Sequence, residues 1–230
     1  MQTIAEILAQ ELGQKQEYVD NVVRLIDEGN TIPFIARYRK EMHGAMDDTT
    51  LRNLETRLTY LRSLQDRRDE VKKAIENQGK LTEELAQAID AAATLTEVED
   101  LYRPYKPKRR TRASIAREKG LEPLAEAIFA QDGRDPQALA RDYVDPEKGV
   151  NTPEEALQGA NDIIAENLSD DADIRKALRQ LVMRRGVFTC KAAEGAEEDG
   201  VYRLYYDFSQ PIPRLLDHQI LAINRGEKEG

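Results

Sequence analysis

Leu51, Leu54, Leu58, Leu61 and Leu64 recur every three or four residues in a stretch that holds neither proline nor glycine. That spacing lays one apolar stripe along a helix; a strand, whose side chains alternate with period two, cannot gather those leucines on one face. The stripe slips after Leu64 and resumes at Val71 and Ile75. The pattern predicts a helix over 49–78, about 45 Å long at 1.5 Å per residue. Asp47-Asp48-Thr49-Thr50 supplies capping side chains before it, and Gly79 a stop after it. A stripe of about three turns suits an antiparallel helical pair better than a long coiled coil.

The rest of the chain repeats this grammar in shorter pieces. Ile4, Ile7, Leu8 and Leu12 precede Gly13; Tyr18, Val22, Val23, Leu25 and Ile26 precede Gly29-Asn30. Pro33 opens a third helix, with Phe34 and Tyr38 four residues apart and His43-Gly44 closing it. Thr82-Glu83-Glu84 begins another, with Leu85, Ala88 and Ile89 inward, and 97–102 adds a turn. Residues 111–186 read as short helices separated by Gly120, Gly133, Pro136, Pro146 and Pro153. One apolar face there is Ala156, Leu157, Ala160, Ile163, Ile164 and Leu168; the next is Ile174, Ala177, Leu178, Leu181 and Val182, ended by Gly186. At 187–206 two readings stay open, a short β-hairpin or a helix from Glu197 onward, with helix favoured for the second half. Leu215, Leu216, Ile220, Leu221 and Ile223 form a last amphipathic helix, and 224–230 trails off. The fold class expected is all-α: a multi-helix scaffold over 1–110, a helical subdomain over 111–190, and a return to the scaffold over 191–230.

Charge singles out one segment. The chain carries a net −9, yet residues 101–120 hold eight Lys/Arg and one acid, so that window is +7 and the remainder −16. Pro104 and Pro107 favour extended backbone inside it. Lys106, Lys108, Arg109, Arg110 and Arg112 are the candidate nucleic-acid-binding residues, because exposed cations neutralise phosphates without reading sequence. Tyr102 and Tyr105 stand beside them as stacking candidates. The competing reading is that these cations pair with carboxylates of the acidic body. Arg37, Arg39 and Lys40, and the row Arg175, Lys176, Arg179, Arg184 and Arg185, are read first as solvated faces.

Catalysis finds little support. His43 and His218 stand far apart, no Cys/His pair has metal-ligand spacing, and no glycine loop is built to cradle phosphate. Asp170-Asp171-Ala172-Asp173 and Glu97-Val98-Glu99-Asp100 read as helix-start charges or solvated turns. No cofactor or metal is expected. The single Cys190 cannot close an internal disulfide and reads as a small buried residue. With no secretory signal and no apolar run near the ~20 residues of a membrane span, the expectation is a cytoplasmic protein with no membrane partner.

Three blocks carry a resemblance: Ile35-Ala36-Arg37-Tyr38-Arg39-Lys40-Glu41, Pro104 to Ala113, and Ile220-Leu221-Ala222-Ile223-Asn224-Arg225-Gly226-Glu227. In this order along the chain they resemble signature blocks of the bacterial Tex proteins, transcription accessory proteins related to a eukaryotic elongation factor. The family usually has His-Arg before the last block, where this sequence has His218-Gln219. The resemblance implies a helical N-terminal region with a helix-turn-helix-like module, for which 111–186 is the candidate. It also implies that the chain is a fragment of a longer protein, whose RNase H-like, helix-hairpin-helix and RNA-binding domains follow. The partners implied are RNA or DNA without strong sequence preference, transcription machinery, and those further domains. The alternative is a protein-interaction module that never touches nucleic acid.

Overall fold

A computed structural model describes residues 2–107, 109–193, 195 and 200–229. It divides the chain into two compact units, residues 1–102 and 103–230. Among the described residues the architecture is helical, with one two-stranded antiparallel sheet.

The first unit holds α1 (Ile4–Leu12), α2 (Gln16–Asp27), α3 (Ile32–Tyr38), α4 (Asp48–Glu76), α5 (Glu83–Ala91) and α6 (Leu95–Tyr102). Thr3 caps α1 by accepting from the Glu6 amide while Glu6 accepts from the Thr3 amide, and Asp47 caps α4 through the Thr50 amide. The leucine stripe forms as expected, but not against one antiparallel partner. Leu51, Leu54, Leu58 and Leu61 share a core with Leu8, Val19, Val22, Leu25, Ile32 and Ile35 of α1 to α3. The second half of α4, with Leu64, Val71 and Ile75 buried, packs with α5 and α6, where Ile89 and Val98 are fully covered. α3 stops at Tyr38, short of His43, and the chain turns over 39–45.

The arginines on the other faces of α4 act as clamps. Arg57 grips Glu11 of α1 with two bonds of 2.7 Å, and Arg62 grips Asp27 of α2 with bonds of 2.7 and 2.8 Å. Arg67 reaches Glu99 of α6 at 2.6 Å, and Lys72 reaches Asp90 of α5 at 2.7 Å. These bonds hold the Glu11 and Asp27 carboxyls below their ordinary range, the guanidinium hydrogen bonds being the main cause.

The second unit holds α7 (Arg112–Glu118), α8 (Glu122–Phe129), α9 (Pro136–Arg141), α10 (Pro153–Asp170), α11 (Ala172–Arg185), β1 (Val187–Lys191), β2 (Asp207–Pro211) and α12 (Asp217–Glu229). Its core is small-residue packing around α10: Ala113, Ala116, Leu121, Leu124, Ala140, Ala156, Ala160 and Ile163. Gly159 makes the crossing close, since a Cβ there would sit 2.4 Å from Leu121 Cδ1 and 3.2 Å from Ala116 Cβ. No residue of α11 is buried, and Leu178, Leu181, Val182 and Met183 stay exposed.

The hairpin exists, with its second strand later in the chain than the richest β-forming residues. β1 pairs with 207–211, Val187 opposite Pro211 and Cys190 opposite Phe208. Residues 203–205 form a single 3₁₀ turn, which corrects the helix favoured there; Glu197 itself lies outside the described residues. Tyr205 turns back onto Phe208 at 5.6 Å between ring centroids, and Phe208 meets Phe188 at 6.5 Å. Ring packing thus selects Asp207–Pro211 as the strand, and Pro211 is tolerated because the strand is an edge. α12 runs on to Glu229 instead of trailing off at 224, held by Tyr202, whose hydroxyl donates to Glu229 at 2.6 Å and whose ring lies against Gly226.

Candidate nucleic-acid interface

The basic segment begins at Arg103 with a 3₁₀ turn, runs irregularly through Pro107, and enters α7 at Arg112. Thr111 sets that entry: its hydroxyl accepts from the Ser114 amide while Ser114 accepts from the Thr111 amide.

The segment lies along an acidic ladder on α10. Asp162, Glu166 and Asp170 are spaced by four, so they share one helix face. Asp170, 8% exposed, receives Arg103 Nε at 2.8 Å. Glu166 receives the Thr111 hydroxyl at 2.9 Å and Arg117 at 2.7 Å. Arg117 also reaches Asn167 at 2.8 Å and Glu122 at 3.2 Å. Asp162 faces Arg112 at a looser 3.7 Å. The hydrogen bond that Arg117 donates to Glu166 is the main cause that raises its affinity for its proton.

The reading of Asp170 as a solvated turn is therefore corrected: its carboxylate is buried because a guanidinium compensates its charge. The signal was present as the four-residue spacing of Asp162, Glu166 and Asp170, which acquires meaning only once α10 and the basic segment lie side by side.

The five sequence-designated residues separate by exposure. Arg112 has a side chain 85% exposed despite its long contact with Asp162. Arg110 meets Glu118 at 3.1 Å in a pair whose members are both largely in water. Arg109 is exposed and makes no ion pair among the described residues. Lys106 is exposed at the start of the strip, and Lys108 lies outside the described residues. Tyr102, the last residue of the first unit, carries the Arg67 guanidinium 5.5 Å from its ring centroid. Exposed ion pairs of this kind contribute about 0–1 kcal/mol, so an incoming phosphate can displace them.

A polar cleft of 380 Å³ opens between the strip and α10, lined by Pro104, Arg117, Glu166, Asn167, Asp170 and Asp171. Three carboxylates against one guanidinium make it unsuited to an anion, so anion contact falls to the outer cations. No group of three or more His, Cys, Asp or Glu side chains among the described residues is arranged to hold a metal. His43 is buried and His218 exposed, and Cys190 is half-buried in β1. No described helix is long and apolar enough to cross a membrane.

Known proteins resemble the chain along most of its length. Residues 2–76 match the family described as Tex-like protein N-terminal domain, and residues 131–230 the one described as Tex central region-like. The chain is 50% identical to Protein tex of Bordetella pertussis over 224 residues, 97% of this chain and 28% of that protein. It is 42% identical to Transcriptional accessory protein Tex of Neisseria gonorrhoeae over 228 residues, 99% of this chain and 30% of that protein. It is 34% identical to the human S1 RNA-binding domain-containing protein 1 over 216 residues, 90% of this chain and 21% of that protein. The chain thus spans about a third or less of the length of the curated relatives it matches. With both families matched in order and such identity over nearly its full length, the chain belongs to the Tex family.

Proposed function

We propose that this chain is the N-terminal part of a cytoplasmic, non-enzymatic transcription accessory protein that binds nucleic acid through the strip Lys106, Lys108, Arg109, Arg110 and Arg112. The observation that carries the reading is the sorting of one basic segment into two sets. Arg103 and Arg117 are engaged by Asp170 and Glu166, while Arg109, Arg110 and Arg112 point their charge into water. Salt bridges to α10 fix the strip, and its outer row is the part a phosphate backbone would meet. The names of the Neisseria and human relatives, transcriptional accessory and S1 RNA-binding, favour the same reading.

In this proposal the scaffold of 1–110, the helix-turn-helix-like subdomain of 111–190 and the returning segment of 191–230 hold RNase H-like, helix-hairpin-helix and RNA-binding domains in place. The ligand is RNA, DNA or both, without strong sequence preference. The test is affinity for labelled duplex DNA and RNA across a salt series, for wild type and for an Arg109→Glu, Arg110→Glu, Arg112→Glu variant. The variant should lose binding with an unchanged helical circular-dichroism signal; equal binding by the two sinks the assignment. A second reading, docking on protein components of the transcription or translation machinery, rests on the uncovered apolar row of α11, and binding of such a component by the charge-reversed variant would favour it.

A further inference from the structure

We propose that α3 carries a separate binding site for single-stranded nucleic acid, formed by Phe34, Arg37, Tyr38, Arg39 and Lys40. The site uses no residue of the 106–112 strip and belongs to the other unit, so it does not depend on the strip being an interface.

α3 buries Ile32 and Ile35 and turns its aromatics outward: Phe34 is 36% exposed and Tyr38 57%. Their ring centroids stand 5.2 Å apart with planes inclined at 47°. The Arg37 guanidinium carbon lies 5.9 Å from the Tyr38 ring centroid, and that of Arg39 lies 5.3 Å from the Phe34 ring centroid. Two aromatic rings in water with two guanidinium groups beside them combine a stacking surface with charge for the phosphates that flank a stacked base.

The charge is unusual for its surroundings. Residues 1–102 contain thirteen Lys/Arg against twenty Asp/Glu. Around α4 this excess of acid is used: Arg57, Arg62, Arg67 and Lys72 each grip a carboxylate of a neighbouring helix. Arg37, Arg39 and Lys40 make no ion pair among the described residues; the side chain of Arg39 donates only to the Tyr38 carbonyl, at 3.4 Å. Three unneutralised cations within four residues of an acidic unit form a local anion-attracting spot.

The backing is rigid. His43 is 1% exposed, the Asn21 amide donates to the Met42 carbonyl at 3.2 Å, and Gly44 has φ +60° with Tyr18 pressed over it, a Cβ there falling 2.3 Å from the ring. The turn that carries Arg39 and Lys40 is therefore held in place before any ligand arrives, which lowers the ordering cost of binding. A single strand is the occupant that uses both features. A duplex hides its base faces, and an acidic protein surface would use the cations without the rings.

The chain contains no tryptophan, so Tyr38→Trp installs a single indole in the platform, whose emission is read apart from that of the tyrosines. The experiment is run in the Arg109→Glu, Arg110→Glu, Arg112→Glu background, so that the strip does not contribute. A short mixed-sequence single-stranded oligonucleotide should quench the indole, while its duplex does not. Anisotropy of the same labelled strand should show a loss of about tenfold for Phe34→Ala with Tyr38→Ala, the scale of one or two lost stacks, and a similar loss for Arg37→Ala with Arg39→Ala. Unchanged fluorescence, equal quenching by the duplex, or displacement of the strand by polyglutamate at equal charge overturns the proposal, the last in favour of an acidic protein partner. The strip is judged separately, by duplex affinity of the chain with native arginines.

Discussion

Arg117 of α7 bridges to Glu166 of α10 at 2.7 Å, and the same carboxylate accepts the hydroxyl of Thr111, the residue that caps α7. One acidic side chain thus fixes both the start and the far end of a seven-residue helix. Glu166→Gln keeps the shape but removes the charge that Arg117 faces. We expect a loss of about 1–3 kcal/mol in urea unfolding, the scale for a hydrogen-bonded charged group left without its partner. An unchanged midpoint would mean that Arg117 relies on Glu122 instead.

Arg112 separates binding from stability. With its side chain 85% exposed and its carboxylate contact at 3.7 Å, Arg112→Ala should leave the melting temperature within the scatter of surface substitutions, about 0.5 kcal/mol. The slope of log affinity against log salt for nucleic acid should fall by about one. Arg103→Ala, which uncovers the buried Asp170, should do the reverse.

Acid should loosen the first unit through its clamps. Glu11 and Asp27 titrate below their ordinary 4.5 and 3.8 because Arg57 and Arg62 hydrogen-bond to the ionised forms. The unfolded chain therefore takes up protons first, so their stabilisation is complete above about pH 5 and is lost as pH falls through the folded values. Urea midpoints measured from about pH 6 to about pH 3 should decline, and Glu11→Gln should flatten the decline.

Gly159→Ala tests the close crossing of α10 with the Leu121 and Ala116 side chains. A methyl group placed 2.4 Å from Leu121 Cδ1 requires repacking, and a destabilisation of about 1–3 kcal/mol is expected by thermal melting. A gain, as the higher helix propensity of alanine alone would give, contradicts the geometry.

His43 offers the opposite sign. Both its ring nitrogens are buried and have no hydrogen-bond partner among the described residues. Replacing it by Met removes that desolvation cost at similar volume, so thermal stability should rise by about 1 kcal/mol. A fall would assign the ring a packing role that Met cannot fill.

Helices were legible wherever a cap and an apolar stripe agreed. Asp47 and the leucines through Leu64 place α4, and Thr152-Pro153 places the start of α10. The stripe did not reveal its partners, because periodicity marks a buried face without saying what covers it; α1 to α3 take one end of α4, and α5 and α6 the other. The hairpin was legible at 187–206 as one of two readings, but not its second strand: Val201 to Tyr206 is richer in β formers than Asp207–Pro211, and the ring contacts of Phe208 favour the latter. The basic window was legible as charge, but its division into an engaged and an exposed row depends on carboxylates some fifty or more residues away, which no local pattern encodes.

α11 is fourteen residues long and hides none of them from water. A helix of that length is only marginally stable by itself, so α11 is held mainly by the Asp171 cap at one end and by the 3₁₀ turn Ile212–Arg214 packed against it. Its amides should exchange with deuterium far sooner than those of α10, whose Ala156, Ala160 and Ile163 are sealed in the core. The junction at Asp171 thus joins a slow-exchanging rod to a fast one, and α11 becomes the segment whose protection would register any surface laid against its exposed leucines.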